Sequence, residues 1–319
     1  MSKEHFPVFL ERLKTIVGRE RYDQVVESFA RPDSLLSFLS INITSNLPLA
    51  SKNSKGDLKL EKESSISVRI NTLKTTRPQM IAKFKERNIA FREVPWSSDA
   101  LILEGIPREE LGRMDFINEG LLYRQGLSSM LPVVILDPQP GESILDMCAA
   151  PGSKTTQMAA MMRNEGEIVA VEAIRGRFFK LRSVLAQAGA ANVAVKLTDA
   201  RCFRSHQLFD RILVDAPCSS EGRFKVREPK TFAYWSLRKI REMARKQKGL
   251  LLSAGRLLKP GGTLVYSTCT FAPEENEAVI DWLLRKTKNI LRVEKITVDG
   301  IETYPAVMTW EGKVFNDHL

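Results

Sequence analysis

The sequence predicts an α/β protein built around a doubly wound parallel sheet, with a small α/β module ahead of it and a helical N-terminus. Three observations predict this. From about residue 121, short apolar runs alternate with stretches of helical periodicity, the rhythm of a parallel sheet covered on both faces. The first of these strands leads through the small-residue turn DMCAAPGSK, Asp146 to Lys154, into a helix. Residues 66–120 hold a separate β-α-β pattern followed by further extended segments. The expected domains are a helical segment and linker (1–65), the small module (66–120) and the main domain (121–319).

Each element follows from local pattern. In FPVFLERLKTIVGRERYDQVVESF, Phe9, Leu10, Leu13, Ile16 and Val17 recur at helical spacing, and residues 1–43 read as helical. Residues 44–65 lack aromatic residues and are rich in Ser, Lys and Asn, as an exposed linker would be. SISVRINTL alternates as a strand with Ile66, Val68 and Ile70 on one face. TTRPQMIAKFKERN reads as a helix capped by Thr76 with Pro78 in its first turn. IAFREVPW and ALILEG are extended. SSMLPVVIL is a helix and DPQPGE a turn. Then come the strand SILDMC, the helix GSKTTQMAAMM, the strand GEIVAVEA, the helix RGRFFKLRSVLAQAG and the strand NVAVKLTDA. FDRILVDAPC is a strand, YWSLRKIREMARKQKGLLLSAGRLL a long helix and KPGGTLVYSTC the next strand.

Composition limits the function classes. Of 319 residues, 43% are hydrophobic and 27% charged, so a packed core is expected. No apolar run of about 18 residues is present, so no membrane span is expected. The polar start MSKEHFP lacks a signal-peptide core, and a cytoplasmic monomer is the default expectation. Lys+Arg exceed Asp+Glu by 48 to 38, a net charge of +10 that attracts polyanions such as RNA but is equally compatible with an idle basic surface. The cysteines Cys148, Cys202, Cys218 and Cys269 form no CxxC pair, and His5, His206 and His318 lie far apart. Neither a zinc site nor a disulfide framework is expected.

Site signals gather at the strand ends. In the first turn, Ala149, Ala150 and Gly152 let a ligand approach the backbone and the helix N-terminus offers N–H groups. A tight turn with no ligand is the plainer reading. The glycine fingerprint GxGxxG of dinucleotide folds is absent. Acids recur at the strand ends: Glu172 after IVAVEA, Asp199 after VKLTDA and Asp215 after RILVDA. One such acid is commonly a cap or a solvated loop residue. Three in register with the small-residue turn point to an adenosine-type pocket, a carboxylate after the second strand accepting from a ribose diol. Cys218 and Cys269 end neighbouring strands, which brings both thiols to one rim. A lone cysteine is usually filler, but a pair beside an acidic strand end points to chemistry. Arg223 to Lys248 contain ten Lys/Arg against Glu228 and Glu242, interleaved with Phe224, Phe232, Tyr234 and Trp235. Charge with stacking faces suits unpaired RNA. An amphipathic helix with Leu237, Ile240, Ala244 and Leu251 on the sheet explains the same run.

The blocks VRINTLK (Val68 to Lys74), GLLYRQGLSSM, DMCAAPGSKTTQ, DAPCSSEG and YSTCTFAPEENE carry a resemblance that spans most of the chain. The chain resembles the Fmu/Sun family of S-adenosylmethionine-dependent RNA (cytosine-5)-methyltransferases. The resemblance implies a Rossmann-like methyltransferase sheet and an N-terminal module like an RNA-recognition fold. It implies that Cys148, Ala149, Ala150, Pro151, Gly152, Ser153 and Lys154 wrap the methyl donor. Glu172 would bind the ribose and Asp199 would lie by the adenine. Asp215 would lie near the methionyl part and the target base, and Arg177 would also reach the cofactor. Cys269 would attack carbon 6 of the cytosine and Cys218 would assist product release. Carbon 5 is a poor nucleophile until a thiolate adds at carbon 6, which explains the need for a thiol; a nearby Lys or Arg would raise the thiolate fraction. The substrate would be rRNA or tRNA, with no metal and no membrane. Two departures stand out: the polar stretch 44–65, and an ending at NDHL without the family's usual Gly-Phe-Phe strand. A catalytically silent RNA-binding factor acting in ribosome assembly is the alternative reading. A nicotinamide-dependent oxidoreductase ranks far below, since its glycine fingerprint is missing.

Overall fold

The computed structural model describes residues 2–30, 42–44, 65–225, 228–288, 290–315 and 319. Residues 45–64, most of the expected linker, and His318 lie outside the described residues.

Helices α1 (Ser2–Val17) and α2 (Arg19–Ala30) form a hairpin around Gly18, whose φ of 76° suits a residue without a Cβ. The helical reading of residues 1–43 fails at its end. Asn42–Thr44 is a strand, β1, because its backbone pairs with residues 302–304 far along the chain. The small module comprises β2 (Ile66–Ile70), α3 (Arg77–Glu86), β3 (Phe91–Val94), β4 (Ser97–Leu103), α4 (Arg108–Arg113), α5 (Asp115–Asn118) and β5 (Leu122–Arg124). Its antiparallel sheet has the order β3-β4-β2-β5. The sheet passes the expected boundary at 120, since Val68 pairs with Arg124 and Ile70 with Leu122. Helix α3 starts as its sequence implies. Thr76 accepts from the Gln79 N–H, and Gln79 accepts in return from the Thr76 N–H at 3.0 Å.

Ile66, Val68 and Ile70 pack with Leu101 and Leu103 on Met80, Phe84 and Phe116. The opposite face is buried as well: Val94, Ala100 and Ile102 meet Leu127 and Met130. Arg69, also on that face, donates from Nε to Gln125 and from Nη2 to Thr156, each at 2.9 Å. Strand β2 therefore has two interior faces, one within the module and one against the main domain.

The main domain runs α6 (Leu127–Leu136), β6 (Ser143–Asp146), α7 (Ser153–Met161), β7 (Glu167–Glu172), α8 (Arg175–Ala188), β8 (Val193–Leu197), β9 (Phe209–Asp215), α9 (Leu237–Leu257), β10 (Leu258–Ser267) and α10 (Glu277–Lys286). The order β10-β9-β6-β7-β8 is parallel throughout. Its reversal point lies between β9 and β6, where such sheets open a crevice at the carboxyl ends. Strand β11 (Glu302–Tyr304) pairs with β1, and β12 (Thr309–Trp310) with β13 (Lys313–Val314). Among the described residues no helix is long and apolar enough to cross a membrane, and no His/Cys/Asp/Glu group is placed to hold a metal.

The basic, aromatic segment divides differently from expectation. Phe224, Phe232 and Trp235 are buried with Phe9, Leu13, Val25 and Phe29, forming the socket into which the helical hairpin docks. Burial of these large rings outweighs any stacking role on RNA. Only Tyr234 of the four stays open, at 89% exposure. Helix α9 begins after them because Ser236 caps the Lys239 N–H at 3.1 Å. Ala244 and Leu251 face the sheet as expected, but Ile240 joins the hairpin socket and Leu237 lies at the surface.

Phe9 makes edge contacts with Phe29, Phe224 and Trp235 at centroid distances of 5.7, 4.9 and 5.8 Å. Phe9→Ala is expected to lower the unfolding free energy by about 3–5 kcal/mol in urea titration. A loss below about 1 kcal/mol would mean that the hairpin does not share the domain's core.

Candidate active site

The turn after β6 is held from both sides. Met147 N–H donates to Leu213 O and Ala149 N–H to Val171 O, each at 3.0 Å. Gly152 stands at φ 115°, with its would-be Cβ 3.0 Å from both Leu181 and Val184, so a side chain there would collide with α8. Arg177, on α8, donates to Ala150 O at 2.5 Å and lies 3.4 Å from Glu172. Glu172 ends β7 buried, its Oε1 accepting from the Ile174 N–H at 2.7 Å. Asp199 lies on the neighbouring rim after β8, bound bidentately by Arg201, which holds its carboxyl below the ordinary range.

The charge at this turn can be read from Cys148. Burial pushes its thiol well up, and Asp146, Asp215 and Glu172 add to the effect. Two of these carboxylates are offset by cations, Asp215 by Lys154 and Glu172 by Arg177, and Ser153 begins α7 with the orphan N–H groups of a helix start. A buried carboxylate for a diol and a close backbone approach fit an adenosine-bearing methyl donor. Asp146 itself is buried and raised to about 6, chiefly by burial, while accepting from Thr155 Oγ1 at 2.7 Å. Lys154 reaches across to Asp215 at 2.8 Å and Ser129 at 3.0 Å. Asp215 also accepts from Ser267 at 2.9 Å.

Beyond Asp215 the two cysteine loops meet. Parallel pairing puts Asp215 opposite Ser267, so Cys218 and Cys269 leave adjacent strands side by side. Their sulfurs stand 3.1 Å apart, and both thiols are free and partly accessible. The Cys269 N–H points at Cys218 Sγ from 3.3 Å, and Ser220 Oγ lies 3.6 Å from Cys269 Sγ. The thiols respond in opposite directions. Hydrogen bonding from Cys218, then from Ser220, lowers Cys269 despite its burial. Cys218, the partner that keeps its proton, is pushed well up by that hydrogen bond and by burial. A cation was expected to favour the thiolate, but the neighbouring thiol contributes most; Arg223 adds only a lesser attraction, and Lys154 is committed to Asp215.

Two buried glutamates tie the loops together, and sequence reasoning missed both. Glu221 accepts from Trp235 Nε1 at 2.8 Å, Thr270 Oγ1 at 2.9 Å and the Phe271 N–H at 3.0 Å. Glu275 accepts from the Ser219 N–H at 3.0 Å and Gln247 Nε2 at 2.8 Å. Burial raises Glu275 to about 8. Gly222 N–H donates to Cys269 O at 2.9 Å, and Ser219 shares a 2.7 Å hydroxyl contact with Thr270. The signal was present: Glu221 lies in DAPCSSEG and Glu275 in FAPEENE, but nothing in either string tells a buried brace from a solvated acid.

Known methyltransferases are similar to this chain in sequence and fold. The 16S rRNA methyltransferase RsmB/F family matches residues 133–307, and its RsmF/B-like ferredoxin-like domain matches residues 59–107. The tRNA (cytosine(49)-C(5))-methyltransferase of Pyrococcus abyssi is 43% identical over 257 residues, covering 79% of this chain and 80% of that one. The ribosomal RNA small subunit methyltransferase F of Shewanella loihica is 41% identical over 220 residues, covering 67% of this chain; the chain spans only 45% of that relative. A solved methyltransferase homolog protein from Pyrococcus horikoshii superposes with a TM-score of 0.73 at 30% identity, covering 98% of this chain and 87% of that one. With the family matched across both the module and the catalytic sheet, the chain belongs to the RsmB/F methyltransferases, the Fmu/Sun family of S-adenosylmethionine-dependent RNA (cytosine-5)-methyltransferases.

Proposed function

We propose that this chain methylates carbon 5 of a cytosine in RNA, with Cys269 as nucleophile and Cys218 as the group that assists release. The sulfur pair carries the reading: two thiols 3.1 Å apart, the more acidic one being Cys269. Bound at the turn, S-adenosylmethionine supplies an electrophilic methyl group. Cys148 to Lys154 would hold it, with Glu172 on the ribose, Asp199 by the adenine and Arg177 steadying the turn through Ala150. The Cys269 thiolate adds to carbon 6, and the double-bond pair moves to carbon 5, which then takes the methyl group. Removal of the carbon 5 proton restores the double bond and expels Cys269 as thiolate. Cys218 assists that withdrawal after its own proton has passed to solvent, and its raised pKa then makes its thiolate the stronger base. Asp215, fixed by Lys154 and Ser267, would accept from the base's exocyclic amine.

The substrate would be a tRNA or an rRNA, the two classes that the relatives' names give. The chain spans 80% of the P. abyssi tRNA enzyme but about half of the rRNA enzymes it matches. Bisulfite sequencing of cellular RNA with and without the gene reads the class directly. A signal unchanged in both tRNA and rRNA would overturn the assignment of an RNA cytosine as substrate.

RNA carrying 5-azacytosine has nitrogen at position 5, so no proton can leave and the adduct persists. Wild-type protein is expected to form a denaturation-resistant complex with it, and Cys269→Ala none. Cys218→Ala should retain adduct formation while turnover falls about 10²–10⁴-fold. Adduct formation by Cys269→Ala but not by Cys218→Ala would reverse the two roles.

Glu275 gives a pH signature. Its carboxyl titrates near 4.5 when unfolded and at about 8 when folded, so between those values the folded state holds the extra proton. Stability from this group is complete below the unfolded value and is lost as pH rises toward 8, with a slope of up to about 1.4 kcal/mol per pH unit. Glu275→Gln mimics the protonated acid and should flatten that decline in urea titrations between pH 5 and 8. An unchanged slope would place the proton elsewhere.

A further inference from the structure

An RNA-recognition-like module would be expected to offer its open sheet face to RNA, but here both faces are covered. Helices α3 to α5 take one, and α6 with α7 takes the other through Leu127, Met130 and the Arg69–Thr156 hydrogen bond. What stays open is the seam with α8, a cavity of about 330 Å³. Its polar lining is Arg69, Asn71, Tyr123, Arg124, Lys180 and Gln187, and among the described residues no carboxylate lines it. The walls are fixed: Asn71 donates to Gly120 O and Ala188 O at 2.8 Å each, and Gln187 donates to Ile117 O at 2.9 Å. The Arg69 guanidinium lies 5.7 Å from the Tyr123 ring. Arg124 and Lys180 stand exposed at the lip. Outward along α8, Arg175 lies 5.8 Å over the ring of Phe179, which is 52% exposed.

Arg69, Arg124 and Lys180 give the seam a positive lining, to which a phosphate is attracted. A half-buried tyrosine beside apolar walls supplies a stacking face. The volume lies at the low end for small-ligand pockets and suits one nucleotide, not a duplex. None of the lining residues belongs to the cysteine rim or the cofactor turn.

We propose that this seam is a second RNA site, which takes an unpaired nucleotide of the substrate outside the one being modified, with the base against Tyr123 and a phosphate on Arg124 and Lys180. The proposal rests on RNA being the substrate. It reassigns the module's part in recognition from its sheet face to its junction with α8.

The test uses the full chain and fluorescein-labelled unfractionated tRNA and rRNA in anisotropy titrations. The double variant Arg124→Glu/Lys180→Glu should bind about tenfold or more weakly. Its slope of log affinity against log salt should be shallower by about 0.7, for the one phosphate no longer neutralised. Tyr123→Ala should weaken binding by about tenfold, and Tyr123→Phe, which keeps the ring, should restore it. S-adenosylhomocysteine affinity and the thermal midpoint should stay at wild-type values, which excludes a folding defect. The control Lys286→Glu/Lys288→Glu makes the same charge change at exposed positions outside the seam and should stay within about twofold. If the seam variant loses no more affinity than this control, the proposal is overturned. Calorimetric saturation by CMP or UMP alone, with RNA affinity unaltered in the variants, would make the seam a free-nucleotide site and also overturn it. Absence of RNA binding by wild type would instead sink the reading of RNA as substrate.

Discussion

The catalytic reading depends on one contact, the approach of two thiols to 3.1 Å at the ends of neighbouring parallel strands. A shared proton there is what makes the thiols unlike each other: one is lowered and the other raised, although both are cysteines in similar burial. Two sulfurs on separate loops would not hold that spacing unaided. Glu221 binds the Cys269 loop to Trp235, and Glu275 binds the Cys218 loop to Gln247 on α9. Each carboxyl is buried and satisfied by several donors, the condition under which a buried polar network specifies one geometry.

That bracing connects the N-terminus to the chemistry. Trp235 is at once a hydrogen-bond donor to Glu221 and a wall of the socket for α1 and α2. Phe224, Phe232 and Trp235 thus support the cysteine loops by packing, while Tyr234 stays open. The mixing of these three rings with basic residues reflects a segment that turns them inward while its charges stay in water. Carboxylates paired with cations border the turn that would take the methyl donor, and cations line the seam between module and sheet.

Most of the fold was legible because its elements declare themselves locally. The α3 capping box, the alternating strand and helix rhythm after residue 121 and the strand-end positions of Glu172, Asp199, Asp215, Cys218 and Cys269 all lie within short windows of sequence. Strand β1 was misread because its extended form comes from pairing with residues 302–304, and the module's end was misread because β5 owes its place to β2. Arg69 lies on the strand face opposite Ile66, Val68 and Ile70, and it is buried because the main domain covers that face.

The sequence by itself determined the element order, the small-residue turn and the presence of two cysteines at successive strand ends, because strand and helix periodicity and turn chemistry act over a few residues. Only the tertiary structure decided which cysteine is the more acidic, which acids are braces and which aromatic residues are core. Those properties arise from desolvation and from donors contributed by residues far apart in the chain. Trp235 and Phe271 reach Glu221 by folding, and no local pattern encodes their distance.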